Sequence, residues 1–477
     1  MVRAGSFESV FPMTNSITMP RLVVAGTASG IGKTSVMVGL TRALRERGLK
    51  VAVFKCGPDY LDPTYHVRAA GSTCHNLDGW MMGRAAVVGT FARACEGADI
   101  ALIEGVMGLF DGASPTTEEG STAEIAKWLD APVMMVVDVS GMARTVAAIA
   151  RGVAAFDPEL RLAGVFCNRV GSRGHLDILR RALSDLPVLG GLPNEPALTL
   201  PERHLGLRTA EEQAVPDSIL SELGRVTGEW CDLDAILTVA RAAPRVSCQL
   251  SAKADAASSS RCRIGVAFDE AFHFYYEYNL HILKSLGAEL VYFSPISGSL
   301  PDVNGLYIGG GYPEIHAEAL SANRSMREQI GAFAADGGTI YAECGGLMYL
   351  CDAIKTLDGQ RYPMAGVIPA HAVMHERLQA LGYVEVETQA VSALGPAGIR
   401  FRGHQFRYSE LQPLKDRINC AYRVVRRRDG QVVPEGYTVK NTLASYVHAH
   451  WASNPTIAER LVDACIRQTQ NTNEIRE

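Results

Sequence analysis

Long apolar runs, paired cysteines and an excess of one charge are all missing from the 477-residue chain. A membrane-spanning helix needs about 18–20 consecutive apolar residues. The most apolar stretch, ADIALIEGVMGLFDGA, carries Glu104 in its middle, so no membrane partner is expected. The 11 cysteines are odd in number and scattered, with no CxxC pair. That excludes a disulfide framework and a zinc ribbon, and a reducing cytoplasmic location is the simplest expectation. Lys+Arg 46 against Asp+Glu 51 leaves a net charge of −5, which excludes a general nucleic-acid binder. The first residues, MVRAGSFESVFPMTNSITMP, have no apolar core of the signal-peptide kind, so 1–19 reads as a flexible lead-in.

What remains is ordinary globular composition, 47% hydrophobic and 20% charged, in a chain long enough for two to four domains. Short apolar runs alternate with amphipathic stretches: RLVVAG (21–26), LKVAVFK (49–55), ADIALIEG (98–105), APVMMVVD (131–138), RLAGVFCNRV (161–170) and PVLGGLP (187–193). Buried strands separated by helices predict a mostly parallel α/β sheet. The small, polar segment 246–262 reads as a linker between domains at 20–245 and 263–470. Beyond it the alternation restarts with RIGVAF, ELVYFSP, GLYIGGG and GTIYAEC. The expected fold is therefore α/β in two domains, with no internal repeat.

RLVVAGTASGIGKTS is a strand, a glycine-rich turn and a helix start. Gly30 and Gly32 permit close backbone approach to an anion, Lys33 adds a point charge, and the Thr34 hydroxyl suits a magnesium ion. Ser35 completes a nucleotide-binding loop for ATP. A regulatory switch ATPase would carry lysine four residues before Gly32, where this chain has Ala28.

FKCGPDYLDPTYH (54–66) follows the second strand and sets Asp59 and Asp62 at the edge where open α/β sheets bind ligands. Glu104 ends a later strand at the same edge. Carboxylates converging beside a triphosphate call for Mg2+, an oxygen-seeking dication, with Thr34, Asp59 and Glu104 as its expected ligands. Lys55 is expected to stabilise a transferring phosphoryl group, with Asp62 acting beside it. Asn168, ending another strand, is expected at an adenine edge, with an Asx turn as the bland alternative.

In the second domain GTIYAECGGLMYL (338–350) is a strand, a sharp turn and a helix start, with Cys344 at the elbow. The amide of Gly345 can face an oxyanion, and Gly310 in YIGGGYPE is the expected second donor. The helix start favours a nucleophilic thiol. His448 in SYVHAHW is the expected base, ahead of His404 and His450.

With these motifs in hand, the chain resembles the cobyrinic acid a,c-diamide synthase family from residue 21 to about 465. The resemblance lies in AGTxSGxGKT, FKxGPDYxDPxxH, NLDGWM (76–81), EGVMGLxDG, GGGYPE, AECGGLMYL and SYxHxHxxSNP. It implies a P-loop domain of the dethiobiotin-synthetase kind joined to a class I, triad-type glutamine amidotransferase domain. The implied reaction is ATP- and glutamine-dependent amidation of peripheral acetates of a tetrapyrrole. Cobyrinate is the first candidate; hydrogenobyrinate, nickel-sirohydrochlorin and sirohaem are the alternatives, and a regulatory P-loop ATPase with a binding module is the rival from another class. Asp59, Asp62, Tyr60, Asn76, Asp78 and Trp80 are the expected substrate-binding residues, L-glutamine the nitrogen donor, and a homodimer is left open. Where other triad amidotransferases place a Glu two residues after the base, this chain has His450. GHQFRYS (403–409) replaces the family's usual GHEFHYS, with Gln405 and Arg407 at the departures.

Overall fold

The computed structural model describes residues 15–198, 200, 216–248, 260–414 and 418–476. Seven parallel strands form the first sheet: β1 (Arg21–Gly26), β2 (Val51–Cys56), β3 (Cys74–Leu77), β4 (Ile100–Glu104), β5 (Val133–Asp138), β6 (Leu162–Val170) and β7 (Val188–Pro193). Their spatial order is β3-β2-β4-β1-β5-β6-β7. Every residue of β1 is buried because side chains alternate between two covered faces. Leu22 and Val24 pack beneath Val36, Leu40 and Leu44 of helix α1 (Lys33–Glu46), while Val23 and Ala25 face Phe54 and Phe91. The chain leaves β1 on one side for β2 and returns to its other side for β5. The topological switch point, where such sheets bind ligands, thus lies at the C-terminal end of β1, occupied by the glycine-rich loop.

The second sheet has ten strands. Five are parallel: β8 (Cys262–Ala267), β9 (Ala288–Phe293), β10 (Gly305–Ile308), β11 (Thr339–Glu343) and β16 (Thr442–Ser445). The sheet then continues antiparallel through β15 (Val432–Val439), β14 (Cys420–Arg426), β12 (Ala380–Thr388), β13 (Arg400–Arg407) and β17 (His448–Ala449). This antiparallel half is absent from the sequence reading. Apart from the short β17, its strands are covered less completely than β10, β11 and β16, with Leu381 and Glu385 exposed along β12, so they carry no continuous apolar run.

Two boundaries differ from expectation. Asn15–Ile17, inside the expected lead-in, pairs antiparallel with Val246–Cys248, inside the expected linker. The rest of that lead-in up to residue 14, and residues 249–259 of the linker, lie outside the described residues. Arg21 reinforces the junction. Fully buried, it donates to the carbonyls of Met19, Leu129, Asp130 and Pro244 at 2.6–3.2 Å, which satisfies a charge that would otherwise be costly to bury.

Candidate active sites and their interface

At the end of β1 the loop turns through Gly30 (φ 75°) and Gly32 (φ 88°), a left-handed region that favours glycine. A Cβ on Gly32 would stand 2.2 Å from Asn168 Nδ2. Asn168 donates to the Ile31 carbonyl at 2.7 Å, so its amide braces the loop from β6. Lys33 Nζ donates to the carbonyls of Ala28 and Met107, each at 2.7 Å. Ser35 follows in the first turn of α1, half-buried.

Beside the loop lies a buried charge network. Thr34 Oγ1 donates to Glu104 Oε1 at 2.9 Å, and Lys55 Nζ reaches the same oxygen at 2.9 Å and Asp62 Oδ2 at 2.6 Å. His66 Nε2 lies 2.5 Å from Glu104 Oε2. Burial opposes the charge on Lys55, but Asp62 and Glu104 outweigh it and hold the ammonium above its usual range. Burial likewise raises Glu104, yet Lys55 and His66 bring its carboxyl below the ordinary value. His66 is a residue that sequence reasoning left without a role. Its position four after Asp62 on helix α2 (Asp62–Ala70) is the signal, since residues four apart share a helix face.

Asp62 and Glu104 therefore meet, as expected, but on a lysine. Asp59 is differently placed: its Oδ1 accepts from the amides of Leu61 and Asp62 at 2.9 and 3.1 Å, capping the turn. Among the described residues no cluster of three or more His, Cys, Asp or Glu is arranged to hold a metal. Thr34 and Glu104 still fit magnesium, which is bound with one or two protein oxygens when phosphates and water complete its shell.

The remaining expected substrate residues sit in packing positions. Asn76 is buried and donates to the carbonyls of Gly57 and Asp59 at 2.9 and 2.8 Å. Asp78 caps helix α3 (Gly79–Ala94) through Met81 N and accepts from Tyr383 of the second domain at 2.7 Å. Trp80 is buried, its ring against Tyr383 and beneath Arg402 and Arg427. Asp78 and Trp80 thus build the domain interface. Tyr60 lies there too, stacked on Phe274 (5.0 Å between centroids, 7° between planes) and 5.3 Å from the ring of His448.

In the second domain Cys344 adopts φ 48°, ψ −101°, a strained elbow at the end of β11. Two glycine loops meet there. A Cβ on Gly346 would lie 2.2 Å from the Ile308 carbonyl oxygen, and one on Gly345 would lie 3.0 Å from Gly311 N. The amide of Gly310, expected in the oxyanion hole, is instead spent on the Phe274 carbonyl at 3.3 Å, because residues 273–274 bridge to the loop. The neighbouring Gly311 amide is the one that lies against Gly345. Gly310 has a steric role: a Cβ there would stand 2.4 Å from His448 Cε1.

Burial pushes the Cys344 thiol up to about 12, with Glu314 adding to the rise and Arg407 opposing it. Burial lowers His448 and His450 to about 3. At rest the pair is a neutral thiol and a neutral imidazole. His404 stacks on His448 at 4.8 Å and hydrogen-bonds Tyr276 at 2.9 Å. His450 packs on Tyr276 and accepts from Ala452 N. Among the described residues no carboxylate pairs with His448. Glu343 and Glu435 are buried nearby but serve Tyr341, Tyr307 and Ala449 N, and Ser445, Tyr446 N and Gln405 respectively. The latter contact accounts for Gln405: a carboxylate there would face that of Glu435 inside the protein. Arg407 lies over Tyr446, so both departures from the family pattern sit in this domain.

Residues 22–207 match the family model for a CobQ/CobB/MinD/ParA nucleotide binding domain, and 263–456 that for a CobB/CobQ-like glutamine amidotransferase domain. The chain is 52% identical over 455 residues to the cobyrinate a,c-diamide synthase of Leptospira interrogans serogroup Icterohaemorrhagiae serovar copenhageni, covering 95% of this chain and 100% of that protein. It belongs to the cobyrinate a,c-diamide synthase family. Family members from Syntrophotalea carbinolica (49%, 94% of this chain and 99% of that one) and Priestia megaterium (41%, 93% and 97%) carry the same name. The family's two matched domains are the two that carry the P-loop network and the Cys344 elbow. Among the described residues, no helix is long and apolar enough to cross a membrane, and the ten cysteines with described side chains are free.

Proposed function

We propose that this protein converts cobyrinate to its a,c-diamide in cobalamin biosynthesis, using ATP and the amide nitrogen of glutamine. The observation that carries the reading is the placement of two complementary centres, the Cys344 elbow and the Thr34–Lys55–Glu104 network, against one shared interface.

Glutamine enters through a cavity of about 450 Å³ lined in part by Glu314 and Phe406, whose carbonyl lies 3.9 Å from Cys344 Sγ. His448 takes the thiol proton, and sulfur attacks the side-chain amide carbon. The amides of Gly345 and Gly311 receive the oxyanion. As the C–N bond breaks, His448 returns the proton to nitrogen, leaving ammonia and a thioester that water cleaves to glutamate. At the other centre an acetate oxygen attacks the γ-phosphorus of ATP, giving ADP and an acyl phosphate. Ammonia then displaces phosphate, forming the amide, and the departing phosphate carries away the proton that nitrogen loses. Gly30, Gly32, Lys33 and Ser35 would cradle the phosphates, with Lys55 against the transferring group and Asn168 fixing the loop. Magnesium, held by Thr34 and Glu104 with Asp59 close by, would supply charge neutralisation. Asp62 orients Lys55. The free thiols suit a reducing compartment such as the cytoplasm.

Mass spectrometry of cobyrinic acid incubated with protein, ATP, Mg2+ and glutamine tests this directly. Each conversion exchanges OH for NH₂. Two exchanges are expected with all components and none without ATP; an unaltered mass with all components present would overturn the proposal.

A further inference from the structure

Tyr60 stands between the two centres and belongs to both. Its neighbours in the chain are ligase residues: the Asp59 carboxylate caps the turn that follows, and Asp62 is bonded to Lys55 at 2.6 Å. Its ring, however, lies in the other domain. It stacks on Phe274 and packs within 4.9 Å of Tyr276, 5.3 Å of His448 and 5.8 Å of His404, centroid to centroid. Its hydroxyl is shielded from solvent. Phe274 and His448, the ring's partners, are the residues that enclose Gly310 beside the Cys344 elbow. Tyr60 therefore packs beside His448 with its ring, while its loop carries Asp62 to Lys55. The loop that carries it is tied to that network and cannot shift there without moving the ring.

We propose that Tyr60 is an interdomain positioning residue: its ring packs across the interface and holds His448, and occupation of the ligase site by ATP and tetrapyrrole shifts its loop, moving the ring and switching on glutamine hydrolysis. This rests on the two-centre reading given above. Three features serve it. The ring is aromatic and flat against Phe274, so a small loop displacement slides rather than unpacks it. It packs against the buried His448 ring, 5.3 Å between centroids, and so fixes where that imidazole sits. Its loop belongs to the ligase centre through Asp62, while its ring rests on His448 of the other, so one movement is felt at both. Hydrolysis without an acceptor is thereby suppressed.

The test measures glutamate formed per amide formed, and glutamine hydrolysis with and without ATP plus cobyrinic acid. Wild-type protein should show a ratio near unity and a several-fold rise in hydrolysis when both are added. In Tyr60→Ala the rise should vanish and the ratio should increase several-fold. Tyr60→Phe, which keeps the ring, should restore both. Tyr60→Leu serves if the alanine variant is poorly folded, and Phe274→Leu should reproduce the uncoupling from the other domain. An unchanged ratio and unchanged stimulation in folded Tyr60→Ala would overturn the proposal. So would a defect confined to a higher KM for cobyrinic acid with glutamine and ammonia alike, which marks a substrate contact alone. Failure of the two-centre reading is distinguishable, because wild-type protein would then make no amide from either nitrogen source.

Discussion

At Cys344 the backbone does the preparation. The elbow places sulfur at a turn where only glycines follow, while burial keeps the thiol protonated until its base acts. Cys344→Ser is expected to abolish glutamine-supported amidation and to leave ammonia-supported amidation largely intact, assayed side by side at raised pH. The two histidines after it have different neighbours. His448 abuts Gly310 and Tyr60, whereas His450 packs on Tyr276 and Tyr278 and caps a short turn. His448→Ala should therefore lose glutaminase activity by about 10²–10⁴-fold, and His450→Ala less. A reversed ranking in steady-state glutamate release would reassign the base. Both rings are also stability switches. Burial lowers their folded values to about 3, below an unfolded value of about 6.5. Their contribution is full above the unfolded value and is lost as pH falls through the folded one, because the unfolded chain takes up the protons first. The urea midpoint should drop between pH 7 and pH 5, and drop less in His450→Asn; equal slopes would show that other groups dominate.

The loop after β2, which leads to Asp62, shows what a sequence can and cannot disclose. Strand-then-carboxylate order placed Lys55, Asp62 and Glu104 at one edge, because parallel strands all end on the same side. The elbow and phosphate loop were legible for a similar reason: glycines at fixed spacing are demanded by backbone approach. Side-chain direction was not legible. Asp59 turns back onto its own loop, the Gly310 amide faces Phe274, and Asp78 and Trp80 face another domain, and none of these follows from local pattern. The antiparallel strands β12–β15 escaped because half-exposed strands lack a continuous apolar run. For the loop itself, Asp62→Asn and Glu104→Gln should each cut ADP release and amide formation by at least about tenfold while sparing glutamine hydrolysis. Asp59→Asn tests capping against chemistry: the amide keeps an acceptor oxygen for Leu61 and Asp62 but removes the charge. Loss of ADP release at an unchanged melting temperature would assign Asp59 a chemical role. A lowered melting temperature with normal turnover would make it a cap.

Across the whole molecule the two sheets are joined by aromatic and polar contacts rather than by the connecting segment alone. Tyr383 meets Asp78, Arg402 donates to the Trp80 carbonyl at 2.8 Å, Arg427 pairs with Glu119, and Tyr60 packs among Phe274, Tyr276 and two histidines. On the function proposed above, such an interface would hold the two centres in register and keep bulk water from ammonia, which is lost as a nucleophile once protonated. The claim at stake is that nitrogen passes inside one chain from Cys344 to an activated acetate. Cobyrinic acid, ATP and Mg2+ should be incubated with glutamine labelled with nitrogen-15 in its side-chain amide, in a large excess of unlabelled ammonium at neutral pH. Retention of the heavy isotope in both product amides is the expected result; amides carrying the isotope ratio of the bulk ammonium would contradict it.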